Sequence, residues 1–510
     1  MKEKISFRLI LIASIVLRVF LIIRDSAPFA YDMGRDLLWT KDIAFYRIPT
    51  LIGPAASIWG VYFGPLWFYF LSLPLLLTNG NPLSAVYITA SAIIFTGFLG
   101  YFLFKKYLGK LYALVLAIII LFGATSINIS TFAFHANLLP LLTFLLIYFC
   151  FLAVIKNPLF ISLAFLSSSL MFHADPAPAV VFSFIPIFIF FFFKLYKTKK
   201  LIKVLTFSFL GYLIPFAFQI LFELRNNFLE IKALVSYFRG ENPSLSGQLP
   251  FFERILNRLT LFFNFFKESF TGGNDLFAIL FLIIFGFALY KFFKTQKDKN
   301  LKILLKVVLI SFSIIFLIFT VIITVEVKSW YLYGTIVLFA FLIILALYNL
   351  KKYKIILPIF LLLYPILNIS PFLSKERVDH SRIDPAQLSN QLKAIDMIYQ
   401  DANNLQFSVY IFTPPIYDQN YQYLFWWQGV RLGRGLPQDF AYLPNQPDYV
   451  RNKNVYTKST NLSDQIYLII ENGQENEFYT RANWLKNFDT YKIVWEKDID
   501  GAVKIQKREK

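Results

Sequence analysis

The sequence predicts an all-α polytopic membrane protein over residues 1–370, with about 11 transmembrane helices, and a small extracytoplasmic α/β domain over 371–510. Three observations predict it. The chain is 57% hydrophobic, with 60 Phe in 510 residues, and runs such as Phe190-Phe191-Phe192-Phe193 lack the polar interruptions of a soluble core. Twelve apolar segments recur, most near the roughly 20 residues that cross a bilayer as a helix. The net charge of +19 gathers in short clusters between those segments, as in cytoplasmic loops.

The first apolar segment, 5–23, follows Met1-Lys2-Glu3-Lys4 and starts like a signal peptide. No small-residue cleavage site follows, and Arg8 and Arg18 interrupt the run, so it reads as an uncleaved first helix with a cytoplasmic N-terminus. Further apolar segments fall near 61–78, 84–104, 111–127, 137–155, 158–172, 177–195, 201–222, 275–293, 303–325, 331–348 and 355–370. The basic clusters Lys105-Lys106 with Lys110, Lys197 to Lys203, Lys291 to Lys306 and Lys351 to Lys354 are placed inside, together with Lys156. That leaves three longer regions outside: 24–60, 223–274 and 371–510. The same parity puts both ends of 61–78 outside. That segment is therefore re-entrant or interfacial, or one loop breaks the charge rule. The charge surplus orients a plasma-membrane protein and is not read as nucleic-acid binding. Cys150, alone and inside an apolar run, excludes an intrachain disulfide and a Cys-rich metal site.

Within 223–274, Glu253, Asn257, Thr260, Asn264 and Lys267 recur at helical spacing among aromatics from Phe251 to Phe270, which predicts an amphipathic helix on the membrane surface. In 371–510 the long apolar runs stop. Strands are expected at Ser408 to Phe412, Gln465 to Ile470 and Tyr491 to Trp495, with a hairpin turn at Asp500-Gly501 before Val503 to Ile505, and a helix over 386–403. The aromatic stretch Tyr421 to Trp427 suits either binding an acceptor or covering a site.

The segment richest in chemistry is Tyr31-Asp32-Met33-Gly34-Arg35-Asp36, just after the first helix. If 32–46 is helical, Asp32, Arg35 and Asp36 share one face. One of the two carboxylates, Asp32 or Asp36, can then take a proton from an acceptor hydroxyl. Arg35 can hold that carboxylate or face a lipid phosphate. The plainer alternative is a helix cap and a surface ion pair. His135, His173 and Asp175 fall at the exterior ends of membrane helices, where polar groups need a reason to be. They are substrate-binding candidates, with helix capping and interfacial anchoring as alternatives. A divalent cation on all three needs coincident geometry, so no metal site is assigned. Arg35, Arg225, Arg239 and Lys328 are exterior cations that suit a lipid phosphate, and Tyr331 lies beside Lys328 in a short exterior loop, with snorkelling to the interface and the aromatic belt as the alternative.

The acidic segment is followed by Arg-Ile-Pro-Thr-Leu-Ile-Gly-Pro-Ala-Ala-Ser-Ile-Trp-Gly-Val-Tyr-Phe-Gly-Pro-Leu-Trp-Phe-Tyr-Phe at 47–70. An acidic pair, a short helix and a Gly-Pro element leading into an aromatic membrane segment resemble the GT-C glycosyltransferases. More narrowly, they resemble the protein O-mannosyltransferase and aminoarabinose-transferase superfamily. The resemblance is carried mainly by 24–75. It implies a polyprenyl-phosphate sugar donor on the extracytoplasmic side and an essential Asp in the first exterior loop, which Asp32 matches. The Glu that usually follows is Met33 here. It also implies single inverting transfer to an acceptor protein, lipid or glycan, in contact with membrane lipids, by enzymes that do not uniformly need metal. The rival classes are a transporter or lipid flippase and a surface-polysaccharide ligase or polymerase. The near absence of charge at mid-span and of repeated halves speaks against the transporter.

Overall fold

The structure is a computed structural model. It describes all residues except 1, 242–249, 325, 404, 458–464 and 476, and omits the side chains of 2–6. The terminal lysines and part of the 223–274 region thus lie outside the described residues. The elements used below are α1 (Lys2–Asp25), α2 (Tyr31–Tyr46), α3 (Leu66–Leu77), α4 (Leu229–Phe238), α5 (Phe251–Phe270) and α6 (Gln419–Trp426).

Among the described residues, seven helices are long and apolar enough to cross a membrane: Leu83–Leu108, His135–Ile155, Leu201–Arg225, Asp275–Thr295, Lys299–Ile322, Thr335–Lys352 and Ile356–Ile383. Apolar helices of 10–17 residues include Lys110–Phe122, Pro158–His173 and Pro176–Phe192. Charge parity predicts about eleven crossings; length and composition mark seven. One buried apolar cluster joins these helices, with Phe104, Leu116, Phe144, Ile147, Val308, Phe341 and Ile344 at its centre. Arg18 of α1 is buried inside this bundle. Its guanidinium is satisfied by Ser14 Oγ at 2.6 Å, Ser130 Oγ at 2.9 Å and the Leu121 carbonyl at 2.9 Å. A guanidinium without those acceptors would cost several kcal/mol in an apolar interior.

The segment 61–78 contains only one short helix. The 12 residues of α3 rise about 18 Å, short of the roughly 30 Å hydrocarbon core. Past its end the chain meets the C-terminal domain: Tyr423 Oη donates to the Gly80 carbonyl at 2.7 Å and Trp427 Nε1 to the Asn79 carbonyl at 3.2 Å. This geometry fits the re-entrant alternative. The aromatic seam of α5 faces protein, not a lipid surface. Phe262 packs on Phe316 at 5.2 Å and Phe266 on Phe339 at 5.2 Å, while Glu253, Asn257 and Thr260 point out. Phe252 and Leu256 stay exposed at the helix rim.

The C-terminal sheet has the order β2-β1-β3-β5-β4, from β1 (Ser408–Phe412), β2 (Phe440–Ala441), β3 (Gln465–Glu471), β4 (Lys492–Ile499) and β5 (Val503–Glu509). β1 is parallel to β2 and β3, and β5 is antiparallel to β3 and β4. The turn between β4 and β5 falls at the expected Asp500-Gly501, and the expected helix appears as Leu388–Ala402. Sequence reading missed β2, which is two residues long.

The domain is stitched to the start of the first loop. Phe29 N donates to the Ala386 carbonyl at 2.6 Å, Leu388 N to the Ala27 carbonyl at 3.0 Å, and Ser389 N to Ser26 Oγ at 3.0 Å. Behind this seam, at the end of β3, burial pushes the Glu471 carboxyl up to about 8, with Asp384 adding to the rise. A raised carboxyl pKa stabilises the fold fully below the unfolded value, about 4.5. That contribution is lost as pH rises through the folded value, at up to roughly 1.4 kcal/mol per pH unit. Thermal unfolding of the full chain in detergent should therefore show decreasing stability from mildly acidic to alkaline pH. Glu471→Gln should flatten that slope. An unchanged slope would assign the pH dependence elsewhere.

Candidate active site

The C-terminal-domain face of the bundle carries the site, and α2 is its centre. α2 starts after Ala30, which provides no side-chain cap. Its first two turns present Asp32, Arg35 and Asp36 together. Arg35 bridges the two carboxylates: Nη1 lies 2.6 Å from Asp32 Oδ1, while Nε and Nη2 donate to Asp36 Oδ1 at 3.0 and 2.8 Å. Trp67 of α3 donates its indole N–H to Asp36 Oδ2 at 2.8 Å. The two carboxylates therefore differ in environment. The Asp36 side chain is 5% exposed and that of Asp32 is 35%. Burial pushes the Asp36 carboxyl above its usual range, against the pull of Arg35 and Trp67. Asp32 faces solvent and can meet a substrate; Asp36 sits behind it and fixes Arg35.

The Gly-Pro element joins α2 to the bundle. Residues 53–63 fold back on themselves, with Gly53 N donating to the Phe63 carbonyl at 2.7 Å and Phe63 N to the Pro54 carbonyl at 2.8 Å. Gly64 then lies flat on the His173 ring, where any Cβ would overlap the imidazole. Leu66 N donates to His173 Nδ1 at 3.4 Å, so Nε2 carries the proton and donates to the Pro215 carbonyl at 3.0 Å. His173 is thus a cross-brace between backbones, with both ring nitrogens engaged. His135 engages the Ala174 carbonyl through Nδ1, packs edge-on against Phe63 at 4.6 Å, and lies within electrostatic reach of Arg35. Asp175 caps Pro176–Phe192 by accepting from Ala177 N at 3.1 Å. Burial pushes its carboxyl up to about 7, with the Trp330 indole beside it. Tyr331 stacks on Phe319 at 6.5 Å, next to Asp175.

The structure thus links Asp32, Arg35 and Asp36 to His135, and Asp175 to Tyr331. It does not build a metal centre from His135, His173 and Asp175. Among the described residues no three His, Cys, Asp or Glu side chains are grouped to hold an ion. Arg225 ends its helix exposed, as Arg239 does after α4. Lys328 pairs with Glu326 at 2.5 Å.

Sequence reading missed two cations. Arg254 and Arg258 of α5 are 8% and 1% exposed. Arg254 Nη2 donates to the Val321 carbonyl at 3.2 Å. Burial, then the charge of Arg254, holds the Arg258 guanidinium below its usual range, and Glu326 opposes this. Arg258 and Lys328 therefore lie near one carboxylate, Glu326, with Arg254 beside Arg258. The signal was present in the sequence: 254, 258 and 262 continue the apolar seam of α5, where an i, i+4 pair of arginines is out of place. Trp67 was missed because nothing local marks an indole as a carboxylate partner.

The chain was compared with solved structures. It is similar to ArnT from Cupriavidus metallidurans bound to undecaprenyl phosphate, with a TM-score of 0.61 and 10% identity over 98% of this chain and 97% of that one. It is also similar to the Archaeoglobus fulgidus oligosaccharyltransferase in complex with Zn and sulfate, with a TM-score of 0.44 and 12% identity over 91% of this chain and 68% of that one. No protein-family model matches the chain, and no curated protein matches it in sequence. Over nearly its whole length, from the membrane bundle through the C-terminal sheet, the chain shares the fold of that ArnT structure.

Proposed function

We propose that the chain is a membrane glycosyltransferase that moves one monosaccharide from a polyprenyl-phosphate donor to an acceptor protein, lipid or glycan. The reaction takes place on the extracytoplasmic face, where we place residues 24–60 and 371–510. The observation that carries this reading is the split pair of carboxylates on α2: Asp32 open and Asp36 buried, with Arg35 bridging them. Two acidic groups that share one cation but differ in access suit a base and its support.

Asp32 accepts the proton of the acceptor hydroxyl. The hydroxyl oxygen attacks the anomeric carbon, and the bond from that carbon to the phosphate oxygen breaks. The electron pair leaves with polyprenyl phosphate, and one displacement inverts the anomeric centre. Asp36 acts through Arg35 as a positioning residue. We assign His135, Asp175 and Tyr331 to contacts with the sugar. The developing charge on the leaving phosphate needs preorganised cations. Arg254 and Arg258, with Lys328, supply them better than the exposed Arg225.

Reconstituted full chain given a polyprenyl-phosphate donor with labelled sugar, and a cell-envelope extract as the source of acceptor, tests the reading. Label should leave the lipid fraction. A donor that stays intact across the common polyprenyl-phosphate sugars would sink it. Arg254→Gln combined with Arg258→Gln should raise the donor KM about tenfold or more, a loss of at least about 1.4 kcal/mol. An unchanged donor KM would remove these residues from the phosphate site.

A further inference from the structure

The segment that leaves the carboxyl end of β1 reaches Tyr31, the residue before Asp32. β1 and β3 are parallel neighbours whose continuations leave on opposite sides, β1 toward β2 and β3 toward β5 and β4. In open α/β sheets, ligands bind in the crevice outside the carboxyl ends of such a pair. Here the segment leaving β1, residues 413–418, runs across the first turn of α2. The ring of Tyr417 lies 5.4 Å from that of Tyr31, tilted by 32°. Tyr31 directly precedes Asp32, and its hydroxyl lies by that carboxylate.

Three features show that this loop is held in place for something other than packing. Tyr417 remains 57% exposed although one edge meets Tyr31. Ile416, just before it, has φ +73, a left-handed conformation that a β-branched side chain avoids. The loop base is fastened on both sides. Thr413 Oγ1 donates to the Tyr417 carbonyl at 3.2 Å, and buried Asp418 accepts from Gln422 Nε2 at 3.1 and 3.2 Å.

We infer that Tyr417 and Tyr31 form an aromatic platform for a saccharide ring of the acceptor, presenting one of its hydroxyls to Asp32. This rests on the transferase reading above. Tilted, partly exposed aromatic faces suit the C–H face of a pyranose, and the Asp32 carboxylate and Arg35 suit its hydroxyls. An extended peptide would instead seek unpaired backbone groups at a sheet edge. The edge strands β2 and β4 flank the sheet away from the β1–β3 crevice.

The test uses the full chain in lipid nanodiscs, applied to an array of cell-surface oligosaccharides and to a matched array of short peptides. Oligosaccharide binding is expected, weakened about tenfold or more by Tyr417→Ala and restored by Tyr417→Trp. Oligosaccharide binding indifferent to Tyr417→Ala, binding to peptides alone, or binding to neither array would each overturn the platform. Sugar release from the polyprenyl-phosphate donor into water needs no acceptor and is measured alongside, in the unaltered chain and in Asp32→Asn. Absence of release from the unaltered chain would count against the transferase reading, while the arrays judge the platform separately.

Discussion

Asp32→Asn should lower the rate of sugar transfer by about 10²- to 10⁴-fold, the range expected when a general base is lost. The amide keeps the shape and can still accept from Arg35 through its oxygen. It cannot take the proton of the attacking hydroxyl. Because the Asp32 side chain is 35% exposed, the substitution leaves no buried charge unpaired, and the protein should unfold at nearly the same temperature. The loss should fall on kcat, with donor KM little changed, because the interaction removed is made as the proton moves. Transfer in reconstituted vesicles, with the melting temperature as control, provides the measurement. Full activity in this variant would remove Asp32 as the base.

Gly34→Ala should inactivate the protein through its backbone. A Cβ at position 34 would overlap the backbone N and Cα of Asn420, at the start of α6. No side-chain rearrangement relieves a clash with main chain, so α6 must lift off α2, at a cost of about 1–3 kcal/mol in strain. A shift of about 1 Å in a group that positions substrate can cost about 10²-fold in rate. Two measurements should move together: transfer activity should fall by about that factor, and limited proteolysis should cut more readily near the junction with the C-terminal domain. Unchanged activity and unchanged proteolysis would show that α6 and α2 need not stay in contact.

The polar face of the first loop was legible in the sequence because it is local. Asp32, Arg35 and Asp36 are helical neighbours, and helical spacing alone puts them together. The β4–β5 hairpin was legible for the same reason. Depth was not legible. That Asp36 is buried and Asp32 open depends on Trp67, which arrives from another helix, and periodicity within α2 says nothing about it. The same limit applies to His173. Its position at a helix end suggested a ligand, but its partners are main-chain groups of Leu66 and Pro215, which composition cannot reveal. Charge parity placed the ends of 61–78 on one side, but not the shortness of α3. The arginines of α5 were overlooked because only the polar face of that helix was read for function, and they lie on the other.

The hydrogen bond between Ser389 and Ser26 joins residues 363 positions apart. At the usual pace of synthesis, roughly 5 to 20 residues per second, the first loop waits some 20 to 70 s for the helix that holds it. During that interval the nascent protein has Asp32, Arg35 and Asp36 but not the frame around them. Chains cut short before residue 386 therefore carry Asp32 without the hydrogen bonds that tie residues 26–29 to the C-terminal domain.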